Sequence, residues 1–379
     1  MCTDFILPFE GSNPTIISGR TCDFSPSPDV SYPLYKVPAG THFKAFAPDK
    51  KPGYAWTSDY GFVGISMHFS SEGPVKGEDA TMEAFLEGLN EKGLSVAALW
   101  LSYTEYEPVS SPSEDSRCLD VNQLVSYLLG TCATVDDIQR KLHDVIVWFP
   151  EAWQTIEPMH LSVHDPSGKS LVVEFLNGEK VFYDNSVGVL TNGPTFDWHV
   201  IRLNYFFNAL TNKDNAQDKY VQMKKGENGR YRVTEGNGYQ SEVLAGGMLG
   251  MPGDSSSPSR FARAAKLRRC IPSQYDQRAG VQYALQVVNR VSVCQDEVLL
   301  LYGSDGKPEV PRNSYDYTLW KTVRDHTNVV FYYATAQNQN IRAIELKELD
   351  FSPGSGITFT SLASDDWFND NTAALQGKS

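Results

Sequence analysis

Cysteine stands directly behind Met1, so removal of the initiator methionine would leave a thiol and a free α-amine on one residue, Cys2. The thiolate is the reactive form of cysteine. A free thiol titrates near about 8.5 and an α-amino group near about 7.7, so the two can exchange a proton close to neutrality. A nucleophile placed this way carries its own base and needs no distant histidine. Read alone, Cys2 could also be just one of six cysteines. The other chemical signatures are missing: no Walker loop, no HExxH and no GxSxG occur, and Gly247, Gly250 and Gly253 precede no dinucleotide-binding pattern. Cys22, Cys118, Cys132, Cys270 and Cys294 are scattered without CxxC or Cys/His spacing, so neither a zinc site nor an organic cofactor is expected. Most of these cysteines read as small buried hydrophobes, with a single disulfide left open. His68, His160, His164 and His199 lie mostly within or beside strand-like runs and read as structural residues rather than general bases.

The elements that must position Cys2 begin at once. Cys2 to Leu7 is β-compatible, Gly11-Ser12-Asn13-Pro14 supplies turn chemistry, and Thr15 to Ser18 resumes with β-branched residues. This hairpin would return Gly19-Arg20-Thr21-Cys22-Asp23 beside Cys2. Tyr60 to Phe69 and Leu94 to Tyr103 are further strands. Val121, Leu124, Val125 and Leu128 recur at helical spacing, and Thr134 with Asp137 opens a second helix as a capping-box variant. His160 to Val163, Leu171 to Phe175 and Lys180 to Tyr183 form a meander punctuated by Asp165-Pro166-Ser167-Gly168 and Asn177-Gly178. Ser259 to Arg269 and Arg278 to Val291 read as helices; Thr318 to Asp325, Val329 to Ala334 and Ile341 to Glu345 read as closing strands. Antiparallel runs interrupted by helix pairs, without βαβ alternation, predict an α+β fold with layered antiparallel sheets. One domain over residues 2–362 is expected, with 199–240 an arm or assembly excursion and 363–379 a C-terminal tail that is mobile or docked on a partner.

A chain of 379 residues can bury a substantial core. Its net charge of −13 argues against nucleic-acid binding, which needs clustered Lys and Arg. Lys266, Arg268 and Arg269 form the densest basic group and read as a solvated helix face. No stretch has the roughly 18 consecutive apolar residues of a membrane span, and no signal segment precedes Cys2. The sequence is as compatible with a cytoplasmic protein as with an exported one whose leader has been replaced by Met1, so localisation stays open.

Behind Met1-Cys2, four segments follow in order: Gly19-Arg20-Thr21-Cys22-Asp23, Asn90-Glu91-Lys92-Gly93-Leu94, Leu190-Thr191-Asn192-Gly193-Pro194-Thr195-Phe196-Asp197-Trp198, and Pro252-Gly253-Asp254-Ser255-Ser256-Ser257-Pro258-Ser259-Arg260-Phe261. Together they resemble the choloylglycine hydrolase family, which contains the penicillin V acylases and the conjugated bile salt hydrolases. The resemblance runs from Cys2 to about Glu345 and is weakest across Thr211 to Gln240. It implies an N-terminal nucleophile hydrolase fold, a four-layer αββα sandwich, acting on linear amides. It further implies Cys2 as the nucleophile that forms a thioester acyl-enzyme, and its α-amine as the proton carrier. Arg20 would stabilise the thiolate, Asp23 would hold the amine, Asn192 would donate to the oxyanion, and Arg260 would complete the charged constellation. Taken without the resemblance, Arg20 and Asp23 are a turn pair, Asn192 an Asn-Gly turn residue and Arg260 a helix-start arginine.

Trp100 departs from much of the family. At this position, which supplies a backbone oxyanion donor, bile salt hydrolases typically show Asn and many penicillin V acylases Tyr. Trp looks like the Gram-negative type of penicillin V acylase, some of which are similar to enzymes cleaving N-acyl homoserine lactones. A flat aromatic wall suits a phenoxyacetyl ring or an alkyl chain, although Trp100 could also be plain strand core. The substrate expected is therefore a small-molecule N-acyl amide, penicillin V or a relative, with a bile salt as the rival. A non-catalytic β-rich ligand-binding protein is the reading from another class, supported by 12% aromatic content. The resemblance also implies a homo-oligomer, tetramers being common in the family.

Overall fold

The computed structural model describes residues 1–9, 14–27, 29–70, 83–150, 158–209, 221–225, 231–235, 248, 250–271, 276–299, 315–370 and 372. Two antiparallel sheets face each other. The first has seven strands, in the order Val189–Leu190, Cys2–Phe9, Thr15–Phe24, Tyr315–Asp325, Val330–Thr335 and Arg342–Glu345, with Val298–Leu299 pairing onto Tyr315–Asp325. The second has eight, in the order Glu179–Asp184, Ser170–Leu176, Met159–His164, Ser95–Trp100, Ala84–Asn90, Phe62–Met67, Pro33–Val37 and Thr358–Ser361. Both are covered on their outer faces by helices. Gln277–Val291 and Ser257–Arg268 pack on the Cys2 sheet, and Leu124–Thr131 packs on Ala84–Asn90 and Ser95–Trp100. The result is an αββα sandwich.

Glycine allows the close helix approach on each side. A Cβ on Gly19 would come within 2.8 Å of Val288, and one on Gly88 within 2.5 Å of Leu129. The next residue in each strand carries charge inward, Arg20 after Gly19 and Glu87 before Gly88, because side chains alternate across a sheet.

The predicted hairpin forms in the register Cys2↔Cys22, Asp4↔Arg20. The capping box at Thr134 and Asp137 starts the helix Val135–His143. Several elements were not anticipated: strands His42–Ala47, Lys51–Thr57 and Ala84–Asn90, and the helix Phe196–Ala209. Of the arm proposed at 199–240, part lies outside the described residues, while Val221–Lys225 pairs antiparallel with Tyr231–Glu235.

Two expectations need correction. The basic group at the end of the helix Ser257–Arg268 is a solvated face only at Arg269, which is exposed: Lys266 is buried, and Arg268 Nε donates to the Ile6 carbonyl at 2.8 Å, tying the helix to the sheet beneath it. The start of the tail is tied down, because Asn338 Nδ2 donates to the Ser364 carbonyl at 3.1 Å and Arg342 pairs with Asp366. All six cysteines are free thiols, and most of the five beyond Cys2 are buried as expected, Cys22, Cys118 and Cys132 fully, with Cys270 half-buried and Cys294 exposed.

Candidate active site

The site follows from strand geometry. Met1 N donates to the Asp23 carbonyl, and Asp23 N donates back to the Met1 carbonyl at 2.7 Å. In an antiparallel ladder the neighbouring pair, Cys2 and Cys22, is then non-hydrogen-bonded, and its side chains lie closest together. Cys2, Asp4, Arg20 and Cys22 all project from one face of the hairpin, into the space between the sheets.

Arg20, 1% exposed, enters the opposite sheet. Its Nη1 donates to the Leu86 carbonyl at 2.9 Å and its Nη2 to the Ala98 carbonyl. The pairing of Ala84–Asn90 with Ser95–Trp100 runs only from Leu89↔Ser95 to Glu87↔Ala97, so the guanidinium fills the split where this ladder opens. A bulge helps. Leu86 is the extra residue between Ile65↔Glu87 and Ser66↔Phe85, and such a bulge re-aims backbone and side chain locally. A second bulge at Leu319, between Thr318↔Asp23 and Trp320↔Cys22, lies directly opposite the site.

Nη2 of Arg20 lies 3.9 Å from Cys2 Sγ and 4.0 Å from Cys22 Sγ. The hydrogen bond from Cys22, helped by the positive charge of Arg20, holds the Cys2 thiol well below its usual range in spite of burial. Burial and the adjacent Cys2 sulfur push the Cys22 thiol the other way. Glu87 balances the cluster: it pairs with Arg20 at 3.3 Å, accepts from Trp320 Nε1 and Thr322 Oγ1 at 2.7 Å each, and lies 3.6 Å from Arg324. Against the cost of burial, Glu87 keeps Arg20 protonated. Arg324 in turn pairs with Asp4. Breaking a buried pair of this kind by removing one partner is costly, since a charge is left uncompensated.

Asn192 and Arg260 close the other side. Asn192 Oδ1 accepts from Cys2 N at 2.7 Å and from Arg260 Nη2 at 2.7 Å, and Asn192 Nδ2 donates to the Trp100 carbonyl at 2.8 Å. Arg260 also donates to the Cys2 carbonyl and, at 2.6 Å, to Thr3 Oγ1, and lies 3.9 Å from Asp23. The helix Ser257–Arg268 aims it, and Ser257 Oγ at the helix start accepts from Asn192 N at 3.0 Å. Two buried histidines pin the Asn192 backbone: His160 Nε2 lies 2.8 Å from the Thr191 carbonyl and His199 Nε2 2.8 Å from the Asn192 carbonyl. Burial keeps His199 neutral, its pKa lowered to about 4.

Asp23 differs from its expected position. With Met1 in place, its carboxylate accepts from Thr318 Oγ1 at 2.6 Å and Thr21 Oγ1 at 3.1 Å, while Cys2 N is held by Asn192. Burial raises the Asp23 carboxyl to about 6, with Arg260 opposing the rise.

A narrow cleft of about 390 Å³ ends on this cluster. Its walls include Phe24, Tyr32, Met67, Leu86, Trp100 and Met159, and its floor includes Met1, Cys2, Arg20 and Cys22. Among the described residues no group of three or more His, Cys, Asp or Glu side chains is arranged to hold a metal ion, and no helix is long and apolar enough to cross a membrane.

Residues 2–359 match the model of the choloylglycine hydrolase family, described as linear amide C–N hydrolases. The chain belongs to the choloylglycine hydrolase family. It is an enzyme of that family's type, a hydrolase of carbon–nitrogen bonds in linear amides, which replaces the ligand-binding reading. A penicillin V acylase of Pectobacterium atrosepticum is 26% identical over 318 residues, 79% of this chain and 70% of that protein. A bile salt hydrolase/transferase of Lactiplantibacillus plantarum is 29% identical over 268 residues, 69% and 73% of the two chains. The crystal structure of a conjugated bile acid hydrolase variant from Clostridium perfringens superposes with a TM-score of 0.71 at 22% identity, covering 98% of this chain and all of that one. Penicillin V acylase from Agrobacterium tumefaciens gives 0.68 at 23% identity, covering 96% and 92%. The sandwich is the N-terminal nucleophile hydrolase fold of this choloylglycine hydrolase family member.

All six residues singled out from the sequence, Cys2, Arg20, Asp23, Trp100, Asn192 and Arg260, meet here. Sequence reasoning missed Glu87 and Asp4 and took Cys22 as mere filling, while His160 and His199, read as structural residues, are so placed behind Asn192. Glu87 did carry a signal, a lone charge in the apolar run Ala84-Phe85-Leu86-Glu87-Gly88-Leu89.

Proposed function

We propose that the protein is an N-terminal cysteine amidohydrolase of the penicillin V acylase kind, cleaving a small N-acyl amide with an apolar acyl group into a carboxylic acid and a primary amine. The observation that carries this reading is the Cys2 thiol at the end of an apolar cleft, within 3.9 Å of the Arg20 guanidinium and hydrogen-bonded through its own nitrogen to Asn192.

Loss of Met1 frees the Cys2 nitrogen as an amine and empties that part of the cleft floor. The amine donates to Asn192 Oδ1 and keeps its lone pair for the thiol proton. Cys2 Sγ attacks the amide carbon, and the amine passes the proton to the departing nitrogen, leaving a thioester. Water then attacks the thioester, giving its proton to the same amine, and the acid departs. The oxyanion is met by the second N–H of the Asn192 amide, the first being held by the Trp100 carbonyl, and by the Trp100 backbone N–H. Strand alternation supports that second donor: Leu101 N bonds toward Met159–His164, so the Trp100 amide faces the split that Arg20 occupies. Arg20 stabilises the thiolate, and Arg260 and Asp23 fix the Cys2 end of the strand. The Trp100 ring supports an acyl group that is aromatic or a long alkyl chain, as in penicillin V or an N-acyl homoserine lactone. Conjugated bile salt hydrolysis is the second reading, favoured by the 29% identity to the L. plantarum protein.

Primary amine release from penicillin V, glycocholate and a long-chain N-acyl homoserine lactone under identical conditions tests the proposal, with Cys2→Ser as the control. Fastest release from penicillin V or the lactone is expected. Fastest release from glycocholate would move the chain to the bile salt hydrolases, and silence on all three with Met1 shown to be removed would overturn the mechanism.

A further inference from the structure

We propose that Cys2 and Cys22 form a reversible disulfide when the protein meets a hydroperoxide, a modification site that caps the nucleophile and switches the enzyme off. This rests on the reading of Cys2 as a reactive thiolate; the steps of amide hydrolysis need no second thiol, and the part of Cys22 in them is limited to favouring the Cys2 thiolate.

Three observations place the two sulfurs for this chemistry. Cys2 and Cys22 are register partners, flanked by the mutually hydrogen-bonded pair Met1 and Asp23. Such a non-hydrogen-bonded pair has Cα atoms about 4.5 Å apart, within the span that a disulfide bridges. Both sulfurs approach one nitrogen, Arg20 Nη2, at 3.9 and 4.0 Å, and both line the floor of the same cleft. A hydroperoxide of a few atoms is small enough to reach both sulfurs through that cleft. Among the described residues Cys118 and Cys132 are buried away from this cleft, which leaves Cys22 as the resolving partner.

The steps balance. The Cys2 thiolate attacks one peroxide oxygen; the S–O bond forms, the O–O bond breaks and hydroxide leaves, so sulfur loses two electrons and becomes a sulfenic acid. Cys22 then attacks Cys2 Sγ, forming the S–S bond and expelling hydroxide, which departs as water with the Cys22 proton. Overall, two thiols and one hydrogen peroxide give a disulfide and two waters. Without Cys22 the sulfenic acid is open to further oxidation to a sulfinic acid, which thiols do not reverse.

The test treats the purified, Met1-processed protein with equimolar hydrogen peroxide, alkylates the remaining thiols and maps the peptides by mass. A Cys2–Cys22 link is expected, with loss of amide turnover, and dithiothreitol restores both. In Cys22→Ser given at least two equivalents of hydrogen peroxide, Cys2 is expected to reach the sulfinic acid, with activity that dithiothreitol does not return. Cys22 found alkylated in peroxide-treated wild type while Cys2 is over-oxidised, or linkage confined to Cys270 or Cys294, would overturn the proposal. Mapping needs neither turnover nor a variant, so this proposal and the amidohydrolase reading can fail separately.

Discussion

Replacing Asn192 with alanine separates catalysis from architecture at one residue. Its Nδ2 is the proposed oxyanion donor, and loss of one such donor costs about 10²–10³ in kcat, about 3–4 kcal/mol. Because that interaction strengthens only as charge develops on oxygen, the loss belongs in kcat, with KM changing little. Its Oδ1 has a different job, accepting from Cys2 N and Arg260 Nη2 at 2.7 Å each. Alanine leaves those two buried donors without an acceptor, at about 1–3 kcal/mol apiece, so the variant also melts at a lower temperature. Amine release from the best substrate gives kcat and KM, and thermal unfolding gives the stability change. Alkylation of Cys2 by iodoacetamide reports whether the thiolate and its Arg20 partner survive. The expected variant alkylates at close to the wild-type rate, melts earlier and turns over at least about a hundredfold more slowly. A variant that alkylates normally and keeps kcat within about tenfold would refute Asn192 as an oxyanion donor, since tenfold is only about 1.4 kcal/mol.

Two further outcomes follow from the structure. Trp100→Ala keeps the backbone N–H and removes the acyl-pocket wall, so KM for a phenoxyacetyl substrate should rise by about tenfold or more, the worth of about 1.5–3 kcal/mol of apolar burial, while kcat moves less; a collapse of kcat with unchanged KM would contradict this division. His326 is fully buried between the Gly93 carbonyl at 2.7 Å and Ser18 Oγ at 2.8 Å, and burial lowers its pKa to about 3. The unfolded chain, where histidine titrates near about 6.5, takes up a proton that the native protein refuses, so the stability His326 contributes is complete above that pH and drains away as pH falls toward about 3. Urea unfolding of wild type and His326→Gln at several pH values should show the wild-type advantage shrinking on acidification, and an advantage that grows would contradict the buried neutral ring.

Legibility in the sequence tracked how local each feature is. The hairpin that sets Arg20, Cys22 and Asp23 against Cys2 was readable because turn-forming residues separate a β-compatible run from one that resumes with β-branched residues, a signal local in the chain. The capping box at Thr134 and Asp137 was readable for the same reason. The strand Ala84–Asn90 was not, since it is buried throughout and so lacks alternation. The helix Phe196–Ala209 was hidden inside a segment read for its Asn-Gly turn. Lys266 and Arg268 misled because charge was taken to mean solvent, whereas long basic side chains can lie along a packed surface and end on a backbone carbonyl.

The sequence by itself determined the candidate nucleophile, the strand pair that returns a permanent positive charge beside it, and, through its ordered motifs, the family. These depend on residue type and short spacing, which tertiary context does not alter. Only the tertiary structure decided how the charge is used. Asn192 and Arg260 reach Cys2 across 190 and 258 residues. Arg20 fills a split in the opposite sheet, Glu87 neutralises it there, and Cys22 meets the nucleophile on the cleft floor. Burying charges between two sheets is tolerable only where partners from both sheets satisfy them, and no single strand contains that set of partners.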